Sequence, residues 1–202
     1  MRHQHCGRCR LIQPANAMCK LGILDMKVEK GRNSVVSVRN TSEDILERIN
    51  ITCGDNCIVD IDGISVNNTS LTIFTNHNAK LFIEAGQMMN GRVRIYLHEE
   101  SQINIGHSCL FADCDIWSSD MHSIIDLDSG KRINTAKNII IGSRVWIGHE
   151  VLILKGSKVE SGSVIAARSV VTGSTKCSEN DLIAGNPARV VRSRIEWDVR
   201  LL

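Results

Sequence analysis

Aromatic side chains are scarce: three Trp, one Tyr and three Phe among 202 residues. A core with so few rings has to be assembled from Ile, Val, Leu and Ala, and a small aliphatic core suits a thin, repetitive architecture. Proline is scarcer still, at two residues against 15 glycines. An excess of one charge is also missing. The 24 Lys and Arg face 22 Asp and Glu, a formal net +2, which excludes the clustered basic surplus of a nucleic-acid-binding surface. No uninterrupted apolar run approaches the ~20 residues of a membrane-spanning helix. The basic start, Met1-Arg2-His3-Gln4-His5-Cys6, is not followed by the apolar region of a signal peptide. The expectation is a cytoplasmic protein with no membrane span. With 43% apolar and 23% charged residues, the chain has the means to fold.

Eight cysteines are present: Cys6, Cys9, Cys19, Cys53, Cys57, Cys109, Cys114 and Cys177. In a reducing compartment they serve as small buried apolar groups. Cys6-x-x-Cys9 beside His3 and His5 has zinc-like spacing, but the next cysteine is the lone Cys19, so no second half completes a site. No metal is expected.

The strongest signal is a repeat of six. Ile141, Ile147, Ile153, Val159, Ile165 and Val171 are all β-branched, and the residues two places earlier, Ile139, Val145, Val151, Ser157, Ser163 and Ser169, are small or β-branched. The same phase runs back through Ile105, Phe111 and Trp117. A period of six is neither helical nor that of a long strand. It fits short strands joined by bends, stacked coil on coil so that each aliphatic sits on its counterpart above and below: a β-solenoid. A sandwich of alternating strands would show period two without period six.

The first half keeps a looser beat, through Ile51, Ile61, Ile73, Ile83, Ile95 and Ile105, with gaps alternating between ten and twelve. Twelve is two hexads; ten reads as shortened corners or lost regularity. Asn67-Asn68 and Asn76-His77-Asn78 read as turns. Lys30-Gly31-Arg32-Asn33 reads as the start of the first coil, and Thr41 to Arg48 as a short helix or an outward loop. Between Trp117 and Ile141 the beat stops for residues 118–138 and then resumes, which predicts a polar loop projecting from the solenoid.

These residues resemble the hexapeptide-repeat acyltransferases. The resemblance is carried by the hexads from Ile139 to Ser174, by Ile141-Gly142-x-x-Val145-Trp146-Ile147-Gly148, by Ala184-Gly185-Asn186-Pro187-Ala188-Arg189-Val190-Val191, and by the projecting loop with its histidine. Within the family, Trp117-Ser118-Ser119-Asp120-Met121-His122-Ser123-Ile124 and the following Gly130-Lys131-Arg132-Ile133-Asn134 are similar to bacterial capsule and polysialic acid O-acetyltransferases. The resemblance implies an all-β, left-handed parallel β-helix that forms a homotrimer and uses acetyl-CoA. The handedness comes from the resemblance alone, because it breaks the usual right-handed rule. The implied organisation is an N-terminal segment over 1–30, a β-helix over 31–192 with the inserted loop 118–138, and a tail over 193–202.

Moving an acetyl group from a thioester to a sugar hydroxyl requires a base for the hydroxyl proton, donors for the oxyanion and a cleft that holds both substrates. Of seven histidines, His3 and His5 lie in the N-terminal segment, and His77 and His98 lie in turn-like or strand-edge positions. His107 and His149 follow a glycine at hexad corners, where solvation is the simple reading. His122 alone sits in the projecting loop, between Asp120 and Asp126, and is the candidate general base. Its orienting partner is left open among Asp120, Glu150 and a backbone carbonyl. Trp146 points outward if Ile147 points inward, and the resemblance assigns it to acceptor positioning; a place in the trimer interface serves it equally. The resemblance further implies that coenzyme A lies in a groove between subunits, against Gly148, Ala166, Ala167 and Thr172, with Arg189 near the phosphates. Small residues are needed at corners in any case. Arg168 departs from the family pattern, as does the segment from Gly173 to Ser178, which lacks a proline common there.

The expected activity is acetyl transfer from acetyl-CoA to a hydroxyl of a bacterial surface glycan, a sialic-acid-containing capsule or lipopolysaccharide. The competing reading is N-acetylation of a nucleotide-linked amino sugar. A carbonic anhydrase of the same fold would need a close histidine pair, which is missing after His5. A non-enzymatic scaffold leaves the His122 loop unexplained.

Overall fold

The computed structural model describes residues 25–39, 48–67 and 70–201. The Cys6/Cys9 pair, Cys19, His3 and His5, Asn68, and the helix-or-loop reading of residues 41–47 fall outside them. The described residues form a three-sided parallel β-solenoid, the left-handed β-helix of the hexapeptide-repeat fold. None of them is helical, so no helix among them is long and apolar enough to cross a membrane.

Each coil contributes one strand to each of three faces. The first face stacks Asp25–Lys30, Arg48–Cys53, Ser70–Thr75, Val93–Leu97, Cys114–Trp117, Val151–Leu154 and Val170–Val171. The second stacks Val35–Arg39, Ile58–Asp62, Lys80–Ile83, Gln102–Ile105, Ile139–Ile141 and Lys158–Val159. The third stacks Ile64–Asn67, Gln87–Asn90, Leu110–Phe111, Trp146–Ile147, Val164–Ile165 and Leu182–Gly185, and ends on Ala188–Arg192, which turns back antiparallel. We call the edge between first and second faces the first corner, that between second and third the second corner, and that between third and first the third corner. The first described strand pairs with Arg48–Cys53 ahead of the boundary expected at residue 31. Residues 31–33 form a first corner between two strands that already belong to the solenoid.

The hexad aliphatics fill the core as expected. Ile141, Ile147, Ile153, Val159, Ile165 and Val171 are all buried, as are Ile139, Val145, Val151, Ser157, Ser163 and Ser169. The buried serines bond to backbone groups: Ser157 Oγ donates to Leu154 O at 2.6 Å, Ser163 Oγ to Ser178 O at 3.2 Å, and Ser169 Oγ accepts Gly185 N–H at 3.1 Å. Cys53, Cys57, Cys109 and Cys114 lie in the same core, and Cys177 is half-buried. Burial pushes the Cys109 thiol up to about 11 and that of Cys114 higher still, so these are inert packing groups.

Two expectations need correction. First, the ten-residue gap is not a shortened corner. The step from Ile153 to Val159, first face to second, takes six residues; from Ile73 to Ile83 it takes ten, because the first-face strand is longer and adds Thr75 and Ala79 to the buried layer. Coils near the N-terminus therefore repeat every 22 or 23 residues and those near the C-terminus every 18. Second, Trp117 is out of phase. Ile116 is the buried partner of Ile95 and Ile153, while Trp117 faces outward opposite Tyr96. The third corner between Phe111 and Cys114 is one residue short, which slips the phase by one. Phe74, Tyr96 and Trp117 form an outward column on the first face. The Tyr96 and Trp117 rings stack at 4.4 Å, face to face along the solenoid, so the column braces successive coils.

At the first corner, Asn33, Asn56 and Asn78 all have positive φ, a region that asparagine tolerates. Their amides form a ladder, Asn33 Nδ2 to Asn56 Oδ1 and Asn56 Nδ2 to Asn78 Oδ1, each at 3.2 Å. On the third face the register column runs Ser65, Met88, Leu110, Trp146, Val164, Leu182, and is apolar from Met88 to Leu182.

Candidate functional site

The loop leaves the first face after Trp117 and rejoins the second face at Ile139, so it occupies the first corner. Its base is closed by Lys137 N–H to Ser118 O at 3.0 Å and by the Ser101–Ser118 hydroxyl pair at 2.7 Å. Beyond the base it is a small hairpin. Ile125 and Arg132 form an antiparallel bridge, and Ile133 N–H donates to Ile124 O at 2.9 Å. Ser129 caps the tip through Asp126 Oδ1 at 2.8 Å. The hairpin exposes Ile124, Ile125, Leu127 and Ile133.

His122 is exposed near the root of this hairpin. Its N–H donates to Asp120 O at 2.8 Å across Met121, whose φ is 65°. An i to i+2 bond over a positive-φ residue makes a γ-turn of the rarer, strained kind. Neither carboxylate considered for orienting His122 is turned to it. Asp120 pairs with Lys155 and accepts from Asn134 Nδ2 at 2.8 Å; these bonds, Lys155 first, hold its carboxyl below the usual range. Glu150 pairs with Arg168 at 2.6 Å.

Three further loop contacts converge on Glu99, at the same corner one coil earlier. It accepts from Arg132 Nη2 at 2.6 Å, Ala136 N–H at 3.2 Å and Ser119 Oγ at 3.4 Å, and so holds both limbs of the loop. The Arg132 bond above all keeps its carboxyl below the usual range. Sequence reasoning missed Glu99, Lys155 and the role of Asn134. Only Asn134 left a trace, as the end of the Gly130–Asn134 segment.

The other candidates are spread around the prism. Thr172 shares the first corner with the loop, while Gly148, Ala166 and Ala167 stack along the third corner. Gly148 is buried, and a Cβ there would stand 2.7 Å from Ile165 O and 2.8 Å from Ala167 N. Coil stacking alone therefore demands this glycine, as it does Gly142 at the second corner. Ala167 is exposed and Ala166 partly so, and these two offer the accessible edge. Arg189 is exposed on the antiparallel end strand, opposite Ala184.

Trp146 points outward, 39% exposed, with Ile147 inward as expected. It leans on Trp197 of the C-terminal tail, ring centroids 6.2 Å apart. It lies on the third face, across the prism from the first corner that carries His122, so one chain does not bring the two together. The tail itself runs back over the second corner. Trp197 Nε1 donates to Arg144 O at 2.8 Å, and a groove of about 800 Å³ opens beneath it beside His107, Glu179 and Arg194. None of the predicted site residues lines this groove, and Arg194 points there, away from Arg189.

No protein-family model matches the chain. It is 45% identical over 102 residues to the polysialic acid O-acetyltransferase of Escherichia coli O1:K1 / APEC, across 49% of this chain and 32% of that protein. The chain thus spans about a third of that relative's length. It is 31% identical over 152 residues to the polysialic acid O-acetyltransferase of Neisseria meningitidis, across 65% of this chain and 70% of the relative. Two solved structures superpose on most of the chain: polysialic acid O-acetyltransferase OatWY (TM-score 0.63, 27% identity, 89% of this chain and 90% of that one) and the polySia-specific acetyltransferase NeuO (0.63, 28%, 87% and 90%).

Proposed function

This chain belongs to the hexapeptide-repeat O-acetyltransferases related to the polysialic acid enzymes, and on that premise we propose that it transfers an acetyl group from acetyl-CoA to a hydroxyl of a sialic-acid-containing bacterial surface glycan. The observation that carries this reading is the loop 118–138. It is pinned at its base to the coils before and after, through Glu99 and Lys155, and it presents an exposed histidine.

In this reading His122 removes the proton of the acceptor hydroxyl as the oxygen attacks the thioester carbonyl. The C–O bond forms, the tetrahedral intermediate collapses, the C–S bond breaks, and the imidazolium returns its proton to the leaving thiolate. Two substrates are held in attacking geometry, so the gain comes from positioning as well as from proton transfer.

The site is built between copies in a homotrimer. His122 and Trp146 lie on opposite sides of one prism, and each side leaves apolar surface unmatched: exposed Trp146 with half-buried Met88, Leu110 and Leu182 on the third face, and the hairpin's Ile124, Ile125, Leu127 and Ile133. Apolar areas of this kind mark contact surfaces, and threefold packing of the loop of one copy against the Trp146 face of the next covers both. Acetyl-CoA lies in the cleft so formed, between Thr172 of one copy and Ala166, Ala167 and Trp146 of its neighbour. Arg189 supplies a charge-assisted donor for its phosphates. The buried, unpaired thiols suit a cytoplasmic enzyme.

The test is thiol release from acetyl-CoA across a panel of acceptors: polysialic acid, other sialylated glycans, neutral bacterial polysaccharides and nucleotide-linked amino sugars. Acetylation of a sialylated glycan supports the proposal. Turnover confined to amine acceptors overturns it.

A further inference from the structure

Asn134 sits at the returning root of the hairpin and is 7% exposed. Every hydrogen-bonding position of its side chain is used. Nδ2 donates to His122 O at 2.7 Å and to Asp120 Oδ2 at 2.8 Å; Oδ1 accepts Ile124 N–H at 2.7 Å and Arg132 Nε at 3.3 Å. The backbone carbonyl of Asn134 in turn accepts Lys155 Nζ at 3.0 Å, from the following coil. One primary amide thus grips the carbonyl of His122 and the N–H of Ile124, the backbone groups on either side of Ser123.

The geometry points to Asn134 as the positioning residue for His122. This inference rests on the reading of His122 as the base. The argument is one of conformational control. His122 follows the γ-turn at Met121, and a strained turn of this kind persists only where its surroundings over-determine it. The Asp120 N-terminal to the turn and the His122 carbonyl C-terminal to it are both held by the same Asn134 Nδ2. Release of that clamp lets the turn relax, and the Cα–Cβ direction of His122 swings with it. No other side chain substitutes. Aspartate has no donor for the His122 carbonyl and sets a second carboxylate against Asp120; serine has one donor where two are used; glutamine is a methylene too long. The buried amide also carries no charge, so it fixes the loop without altering the field at the imidazole.

The experiment compares wild type, Asn134→Ala, Asn134→Asp, His122→Ala and the double variant His122→Ala/Asn134→Ala. Acetyl transfer is read as thiol release, to polysialic acid and separately to water alone. Asn134→Ala is expected to lower kcat by ~10- to 100-fold, the scale of a displaced catalytic group. The KM for acetyl-CoA should stay within about twofold, because the co-substrate is held elsewhere. The double variant should be no slower than His122→Ala alone, since residues acting as one unit are not additive. Circular dichroism and melting accompany each variant. If Asn134→Ala does not fold, the near-isosteric Asn134→Asp is judged by the same criteria. A wild-type kcat for the Asn134 variant overturns the inference. So does a double variant slower than His122→Ala by the full Asn134 factor, which would place the effect away from His122. His122→Ala turning over at the wild-type rate overturns the reading of the site as well. An inactive His122→Ala beside a fully active Asn134 variant sinks the clamp alone.

Discussion

Lys155, on the coil that follows the loop, closes a salt bridge on Asp120, two residues before His122. The lysine is four-fifths covered, and its ammonium also reaches Asn134 O. It therefore ties both limbs of the loop to the solenoid. Lys155→Met should leave the melting temperature within a few degrees, because partly exposed pairs contribute ~1 kcal/mol or less. It should nonetheless raise amide exchange over residues 118–138 and lower turnover by ~10-fold. Unchanged exchange in the loop would contradict the tether.

Acid should release the same loop. Hydrogen bonds from Lys155 to Asp120 and from Arg132 to Glu99 hold both carboxyls below their usual range. A carboxyl lowered by folding contributes fully above its ordinary pKa and loses that contribution as pH falls through the lowered one. The loop is therefore expected to stay pinned through neutral and mildly acidic conditions and to loosen below about pH 4. The amide resonances of Ala136 and Ile124, followed by NMR from neutral pH downward, report this. An onset near pH 6 would assign the change to other groups.

His122→Ala should reduce turnover by at least ~100-fold, the low end for a lost general base, with acetyl-CoA binding retained. Trp146→Ala should mainly weaken use of the glycan. Since the two residues lie across the prism from each other, mixing the two variants after co-refolding should restore activity. Random assembly gives about a quarter of the sites one intact histidine and one intact tryptophan. No recovery in mixed trimers would place the site within a single chain.

Leu110 stands between Met88 and Trp146 in the apolar column of the third face. A lysine there puts a charge into the proposed contact without touching the inward layer. Leu110→Lys should convert the proposed trimer to monomers in light scattering and abolish activity while preserving the β-rich circular dichroism spectrum. A trimer that survives the substitution would move the interface elsewhere.

Ile165 is fully buried between Ile147 and Ile183. Ile165→Ala should cost ~2–5 kcal/mol, as expected for removal of a buried aliphatic from a packed layer. Equilibrium denaturation measures it, and a loss below 1 kcal/mol would mean that the stack closes over the gap.

The core was legible because the hexad signal needs only residue type at a fixed spacing, and Ile141 through Val171 supply it without interruption. The slip from Trp117 to Ile116 was not legible, because both residues are apolar and the missing residue lies in a corner that has no aliphatic marker. The ten-residue gap could be read as loss or gain, and only strand length distinguishes them. His122 stood out through its place in an interrupted repeat. Asn134 did not, since its partners are backbone groups of residues 122 and 124, which carry no side-chain signature. Nor could a linear spacing of 24 residues between His122 and Trp146 tell that one lies at a corner and the other on the face across from it.

From Ile61 to Ile73, Ile83 to Ile95, Ile141 to Ile153 and Val159 to Val171, the chain spends twelve residues on the way from the second face to the first. The return leg is ten from Ile51 to Ile61, twenty-five from Ile116 to Ile141 and six from Ile153 to Val159. From Ile51 onward, and apart from the single residue lost before Cys114, all variation in length falls on that one leg; in the first coil the step from Val38 to Ile51 takes thirteen. The molecule thus has two rigid walls and one elastic seam. Residues added or removed along the seam leave the register of the other two walls unchanged, so a solenoid of this shape can lengthen or shorten its first-corner loop without rebuilding its third face.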